Sequence, residues 1–182
     1  MIKRLALALL LLTSCSLAFA ASPKEKGGYV GVGYGTTSFE DDGLFAFSNF
    51  DSSDSGFGIS GGYKFFKYLA VEGRYTDFGT FSVEGIPFDV TAVSIHAVGI
   101  IPFGESGWEL FGQLGLGSAD LTILGESVSE NVGSAGLGIR YSISENFSLG
   151  LRTDAYAYED TSFGRSYDIS ASQTAITLKY VF

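Results

Sequence analysis

Apolar side chains along this chain recur at every second position, and Gly or polar residues fill the positions between them. In the segment 29–36, Val30, Val32 and Tyr34 alternate with glycines. Period two is the spacing of a strand, whose successive side chains point to opposite faces. The pattern predicts an all-β chain with eight strands, in segments near 29–36, 57–65, 69–76, 93–101, 108–117, 136–143, 147–156 and 173–182.

The connections between these segments alternate in length. Short links are predicted near 67–68, 102–107 and 144–146, and long loops at 38–55, 77–89, 119–130 and 159–168. Tight turns on one side and longer loops on the other are typical of a transmembrane β-barrel. The expected fold is an eight-stranded antiparallel transmembrane barrel with up-and-down meander topology. A ten-residue strand tilted near 45° rises roughly 23 Å, close to the roughly 25 Å apolar band of such barrels.

The two faces of each predicted strand suit different surroundings. Lipid accepts the apolar face but penalises Lys or Arg by about 2–4 kcal/mol at the midplane, so the charged and Gly face should line the lumen. An eight-stranded barrel is only wide enough for side chains to fill. We therefore predict a plugged interior that contains a structural polar network of Lys64, Glu72, Arg74, His96, Glu109, Gln113, Arg140, Arg152, Asp154 and Lys179.

Composition agrees with a membrane barrel and excludes other classes. The chain is 15% aromatic and only 17% charged, with a formal net charge of -9. An acidic chain without a basic cluster repels phosphate backbones, so nucleic acid is not an expected partner. Aromatic residues near the strand ends suit the interfacial girdles of a barrel, and these are Tyr34, Phe65, Tyr68, Trp108, Tyr141, Phe147, Tyr180 and Phe182.

The first twenty residues have the features of a secretory signal peptide. Lys3 and Arg4 precede an apolar stretch at 5–12, and small residues at 18–20 form a cleavage site. We predict a cleaved signal at 1–20 and a barrel domain at 21–182. Cleavage would remove Cys15, the sole cysteine. An alternative is a lipobox at 12–15, in which Cys15 would be acylated.

Three Gly-rich or terminal segments resemble a known family. The ending 175–182 has apolar side chains at alternate positions and a terminal Phe, and 112–117 and 136–141 alternate Gly with apolar or polar residues. They resemble the small OmpA/OmpX-like outer-membrane barrels. The resemblance implies a Gram-negative outer-membrane location among lipid and lipopolysaccharide. It also implies insertion by the barrel-assembly machinery, which would read Ile176, Leu178, Tyr180 and Phe182. Because the sequence stops at Phe182, the periplasmic domain of full-length OmpA is not expected.

No catalytic, cofactor or metal site is predicted. The Gly clusters keep period two and precede no helix, which argues against a nucleotide loop. His96 has no carboxylates at ligand spacing in its strand. Ser94 and His96 share a face, as in barrel enzymes that modify lipid A, but that face should point inward, away from lipid.

The first long loop is both acidic and aromatic. Its carboxylates could hold Ca²⁺, although solvated charge also accounts for them. The residues concerned are Glu40, Asp41, Asp42, Asp51 and Asp54, with Leu44, Phe45, Phe47 and Phe50 beside them. The leading hypothesis is a non-enzymatic outer-membrane barrel with a structural role, or with an extracellular ligand or host surface bound through four long loops. The alternatives are a narrow, porin-like solute channel and a lipid A-modifying enzyme.

Overall fold

A computed structural model of the chain describes residues 23–40, 50–51, 53–83, 86–123, 126–162 and 165–182. The regular elements in these ranges are strands: β1 (Gly27–Glu40), β2 (Phe50–Asp51), β3 (Ser53–Phe66), β4 (Leu69–Val83), β5 (Ile86–Pro102), β6 (Trp108–Ile123), β7 (Glu126–Ser142), β8 (Phe147–Ser162) and β9 (Arg165–Val181). The two-residue β2 pairs only with the end of β4. The described residues include no helix long and apolar enough to cross a membrane.

The eight long strands form one closed antiparallel barrel. Each strand pairs with its neighbour in the chain, including β4 with β5. The first strand also pairs with the last, from Tyr29 opposite Val181 to Glu40 opposite Ser170. A sheet closed in this way has no open edge, so backbone N–H and C=O groups can be paired without water. The predicted eight-stranded up-and-down fold is confirmed.

Along most of each strand, side chains alternate between the two surfaces of this barrel. On the outer surface, Ile95, Leu114 and Leu116 are 66%, 69% and 77% exposed. Inward-facing Arg74, His96 and Asp154 are almost completely buried. An apolar surface of this extent around a charged interior is inside-out relative to a water-soluble domain. The solvent that suits the outer surface is lipid.

Three of the four long loops predicted from the sequence are wrong, because their residues extend the strands instead. The pairing of β4 with β5 continues to Val83 opposite Ile86, and that of β6 with β7 continues to Ile123 opposite Glu126. Pairing of β8 with β9 likewise continues to Ser162 opposite Arg165. Continued pairing satisfies the backbone polar groups that a loop would expose. These ends therefore form two-stranded hairpins.

The hairpins lie at the end of the barrel opposite the short turns. Strand β5 has 17 residues, which at about 3.3 Å per residue and a 45° tilt rise roughly 40 Å, well beyond the roughly 25 Å apolar band. The short turns after β3, β5 and β7 fall where the sequence predicts them. We call the hairpin end the outer end and the turn end the inner end. Residues 1–20, with the predicted signal and lipobox, and 41–49 of the first loop lie outside the described residues.

A β-bulge in β4 breaks the alternation at the outer end. The register of β4 against β5 shifts between Asp77 and Thr80, so Phe78 and Phe81, three residues apart, are both buried inside. Gly79 has φ +94, and a Cβ there would lie 2.5 Å from the Asp54 Oδ2 atom. Asp54 accepts hydrogen bonds from the Ser55 and Thr80 amides at 2.7 and 2.8 Å. These two bonds lower the pKa of the exposed Asp54 carboxyl below its usual range.

Aromatic side chains collect at the inner end of the outer surface. Trp108 and Tyr141 have ring centroids 4.9 Å apart, and Phe147 lies 4.8 Å from Tyr180. Tyr180 also makes an edge contact with the terminal Phe182 at 5.3 Å. Trp and Tyr combine an apolar ring with a polar group, and aromatic residues form girdles at both membrane interfaces of such barrels. The arrangement matches an interfacial girdle at the level of the turns.

Candidate functional site

The interior of the barrel is the candidate site, and it has a polar inner part and an apolar outer part. All ten side chains that the sequence places in the lumen are buried in the structure: Lys64, Glu72, Arg74, His96, Glu109, Gln113, Arg140, Arg152, Asp154 and Lys179. They belong to four groups, which differ in how they are bonded.

Arg74 is the centre of the largest group, which we call the ion-pair network: Glu72, Arg74, Gln113, Arg152 and Asp154. Its Nη1 donates to Asp154 Oδ2 at 2.9 Å, its Nη2 to Gln113 Oε1 at 2.9 Å, and its Nε to Glu72 Oε1 at 3.1 Å. Gln113 Nε2 donates to Asp154 Oδ1. The Arg152 Nε atom lies 2.5 Å from Asp154 Oδ2. The network therefore ties β4, β6 and β8 across the lumen.

A second group of charges lies nearer the inner end. The two oxygens of Glu109 accept from Lys64 Nζ and from Arg140 Nε, each at 2.8 Å. The Arg140 guanidinium also lies over the Phe111 ring, 4.9 Å from its centroid. Because β3, β6 and β7 each contribute one partner, this group joins a different set of strands from the ion-pair network.

Lys179 contacts a ring rather than a carboxylate. Its Nζ atom lies 3.2 Å from the ring centroid of Tyr29, and the Tyr29 hydroxyl donates to Glu72 Oε2 at 3.0 Å. Tyr29 is not among the lumen residues predicted from the sequence. A signal was present, because Tyr29 is in phase with Gly31, Gly33 and Gly35, which occupy the inward face of β1.

His96 belongs to neither charged group. Its Nε2 atom is 3.0 Å from the hydroxyl of Ser134 on β7, a residue that the sequence analysis also missed. Ser94 and His96 are both buried, but the Ser94 hydroxyl has no hydrogen-bond partner among the described residues. The two residues thus share a face without forming a nucleophile–base pair.

An apolar cluster, which we call the outer plug, fills the lumen above the polar groups. Phe78 packs edge-on against Tyr156 at 5.1 Å, and Phe81 stacks with Phe88 at 5.7 Å. The buried members are Phe78, Phe81, Phe88, Val90, Ala92, Val132, Tyr156 and Ala171. The outer plug was not predicted from the sequence, because Phe78, Phe81 and Phe88 fall in a predicted loop and only polar filling was expected.

Small inward residues provide the space for these large groups. A Cβ atom at Gly136 would lie 2.0 Å from Asp154 Oδ1, and one at Gly115 would lie 2.4 Å from the His96 ring. The outward-facing Gly112, by contrast, has room for a Cβ, with its nearest neighbour 3.9 Å away. The inward glycines therefore set the size of the residues that can occupy the centre.

The described part of the interior offers ionic chemistry. The described residues contain no group of three His, Cys, Asp or Glu side chains that could hold a metal ion. Among the residues that the structure describes, the buried charges are five cations (Lys64, Arg74, Arg140, Arg152 and Lys179) and three carboxylates (Glu72, Glu109 and Asp154). Arrays of this kind can cross-link strands and fill space, because each carboxylate is bonded by at least two donors.

A closed barrel with an apolar outer surface and an ion-paired interior defines an integral membrane β-barrel. The family model "Outer membrane protein beta-barrel domain" matches residues 6–182. The chain belongs to this outer-membrane barrel family, which places it in the Gram-negative outer membrane. The comparison with curated protein sequences gives no match.

Solved structures with the same fold come from several Gram-negative organisms. Neisserial surface protein A aligns with a TM-score of 0.63 at 15% identity, over 87% of this chain and 99% of that chain. OprG from Pseudomonas aeruginosa gives 0.63 at 14%, over 89% and 99%. Ail, the attachment invasion locus protein of Yersinia pestis, gives 0.52 at 20%, over 86% and 100%. The recognition of a small outer-membrane barrel from the sequence is confirmed.

Proposed function

We propose that this chain is a non-conducting, non-enzymatic outer-membrane barrel that stabilises the envelope and presents its outer hairpins to a surface partner. In this proposal residues 1–20 are a cleaved export signal. The outward side chains of Ile176, Leu178, Tyr180 and Phe182 direct insertion by the assembly machinery. The signal assignment rests on the sequence pattern of 1–20. The insertion assignment rests on the sequence pattern of 175–182 and on the outward position of these four side chains, on and beside β9.

The filled interior is the observation that carries the proposal. A solute entering from the outer end first meets Phe78, Phe81 and Phe88, and then the ion-pair network below them. Opening a path requires the separation of Arg74 from Asp154, whose atoms are 2.9 Å apart and shielded from water. Separating buried, hydrogen-bonded charges costs several kcal/mol. The same burial argues against an enzyme, since Ser94 and His96 have no access to lipid.

Planar bilayers test the plugged interior. The refolded protein, checked for heat-modifiable gel migration, should insert without producing steady single-channel openings. Phe78→Ala, which trims the outer plug, should remain closed because the ion-pair network persists beneath it. Leu116→Ala, on the outer surface, is the matched control for insertion. Steady, uniform openings of the unmodified protein would contradict the proposal and favour the narrow solute channel.

The charge of the outer end favours a cationic partner for the surface role. Residues 38–55, 77–89 and 119–130 contain Asp and Glu but no Lys, Arg or His. In the β6–β7 hairpin, Glu126 and Glu130 are exposed. Such a surface attracts cations and repels anionic polymers. The Ail structure was also determined with the heparin analogue sucrose octasulfate, a ligand that this acidic outer end should not bind.

Binding to refolded protein in a zwitterionic detergent checks this preference. Polylysine should bind in a salt-dependent manner, and the triple variant Asp120→Asn, Glu126→Gln, Glu130→Gln should weaken that binding severalfold. Ser118→Ala removes a hydrogen bond from the same hairpin without changing its charge, and should bind as the unmodified protein does. Binding of sucrose octasulfate, or equal effects of the two variants, would reject a cationic partner.

A further inference from the structure

A small cavity lies between the ion-pair network and the Glu109 group, against the wall formed by β1 and β9. Its volume is about 30 Å³. The charged and amide side chains that line it are Glu72, Arg74, Gln113, Arg140, Arg152 and Lys179. A buried water needs at least about 10–15 Å³ measured in this way. The cavity therefore has room for two waters or one monatomic ion.

The charges around this cavity are strongly unbalanced. Four cationic side chains line it, against the single carboxylate of Glu72. Glu72 is already engaged, because it accepts hydrogen bonds from Arg74 and from Tyr29. The excess of cations over carboxylates in the whole described interior cannot be removed by rearranging ion pairs.

Two of the lining cations have unused binding capacity. The Nη2 atom of Arg140 is buried and has no hydrogen-bond partner among the described residues, although its Nε is bonded to Glu109. Lys179 is 9% exposed, and none of the described carboxylates lies within 4.0 Å of its Nζ. A buried cation without a counter-charge is strongly unfavourable. Both side chains line the same cavity, so one anion could neutralise part of each charge.

We propose that this cavity is a binding site for a monatomic anion, chloride in the cell, held between Arg140 and Lys179. The buried carboxylates are too few to balance the buried cations, and the anion supplies additional negative charge. It also accepts a hydrogen bond from Arg140 Nη2. The site is internal and does not depend on conduction or on the surface partner, so it stands or fails independently of the proposed function.

Anion-dependent unfolding of the refolded full barrel tests the site in solution. Urea unfolding in lipid vesicles is measured while chloride replaces gluconate, an anion too large for the cavity, at constant ionic strength. A ligand that binds only the folded state at ten times its Kd should lower the unfolding equilibrium constant about tenfold. The effect should saturate with chloride concentration. Absence of a chloride effect in the unmodified protein would overturn the proposal.

Variants separate the site from general salt effects. Arg140→Met and Lys179→Met each remove a lining cation and should abolish the chloride dependence. Lys64→Met removes a buried cation that does not line the cavity. Glu109 still holds Arg140 in place through their ion pair, so the chloride dependence of unfolding should persist. Equal chloride dependence in all three variants would overturn the site. If neither lining variant refolds, crystals of the unmodified protein grown in bromide decide: an anomalous peak in the cavity supports the proposal, and its absence rejects it.

Discussion

Replacing Arg74 by Met should lower the free energy of unfolding by about 3–5 kcal/mol, the usual cost of breaking a buried charge network from one side. The Arg74 side chain is 1% exposed and donates hydrogen bonds to three partners on β4, β6 and β8. Without it, Glu72 keeps Tyr29 as its only hydrogen-bond donor among the described residues. Asp154 loses one of its two cationic partners and keeps Arg152. Reversible urea unfolding in lipid vesicles, followed by tryptophan fluorescence, measures the loss.

Lys64→Met is the matched comparison for this variant. It also removes one buried cation, but Glu109 retains Arg140 at 2.8 Å, so the loss of stability should be clearly smaller. Arg74→Lys keeps the positive charge but loses the planar guanidinium with its several N–H donors. Its loss of stability should lie between those of Arg74→Met and Lys64→Met. Equal losses in Arg74→Met and Lys64→Met would show that Arg74 is not the centre of the interior.

A Leu114→Arg substitution on the outer surface should cost about 2–4 kcal/mol, the penalty for a cation at the bilayer midplane. Leu114 is 69% exposed and lies in the middle of the membrane-crossing part of β6. In water this exposed position would tolerate Arg with little change. The penalty therefore measures the contact with lipid directly, by urea unfolding in vesicles.

Ile143→Arg is the control for position along the membrane normal. Ile143 is 50% exposed and lies in the turn after β7, where the same substitution should cost about 0–1 kcal/mol. A similar cost at both positions would contradict the placement of the bilayer around the middle of the strands.

The period-two pattern allowed the faces of the membrane-crossing strands to be predicted. Alternation places Arg74 and Leu114 on opposite surfaces whatever the register, so the inward position of the polar residues follows from local sequence. The partners do not follow, because Arg74 and Asp154 are 80 residues apart. Their contact depends on the order and stagger of the strands around the barrel.

The outer end was not predictable for a different reason. A segment such as 118–131 is rich in Ser, Asp and Glu, and nothing in its composition distinguishes a loop from a strand paired in water. Pairing continues there because the preceding residues have already aligned the two strands. Phe78 follows the inward phase of β4, but the bulge at Gly79 brings Phe81 to the same face. The outer plug was therefore missed, because no simple alternation describes two inward residues three positions apart.

Pairing of β1 with β9 gives the barrel a seam between the two ends of its sequence. Every shorter version of the chain that lacks β9 leaves the edges of β1 and β8 open, and open edges invite pairing with other chains. Contacts between the first and last strands are also the slowest kind for a chain to form unaided. The protein can therefore become edge-free only after its final residues are available. Until then the open edges of β1 and β8 can pair with other chains, so the two ends of the barrel sequence must meet before the sheet is protected from such pairing.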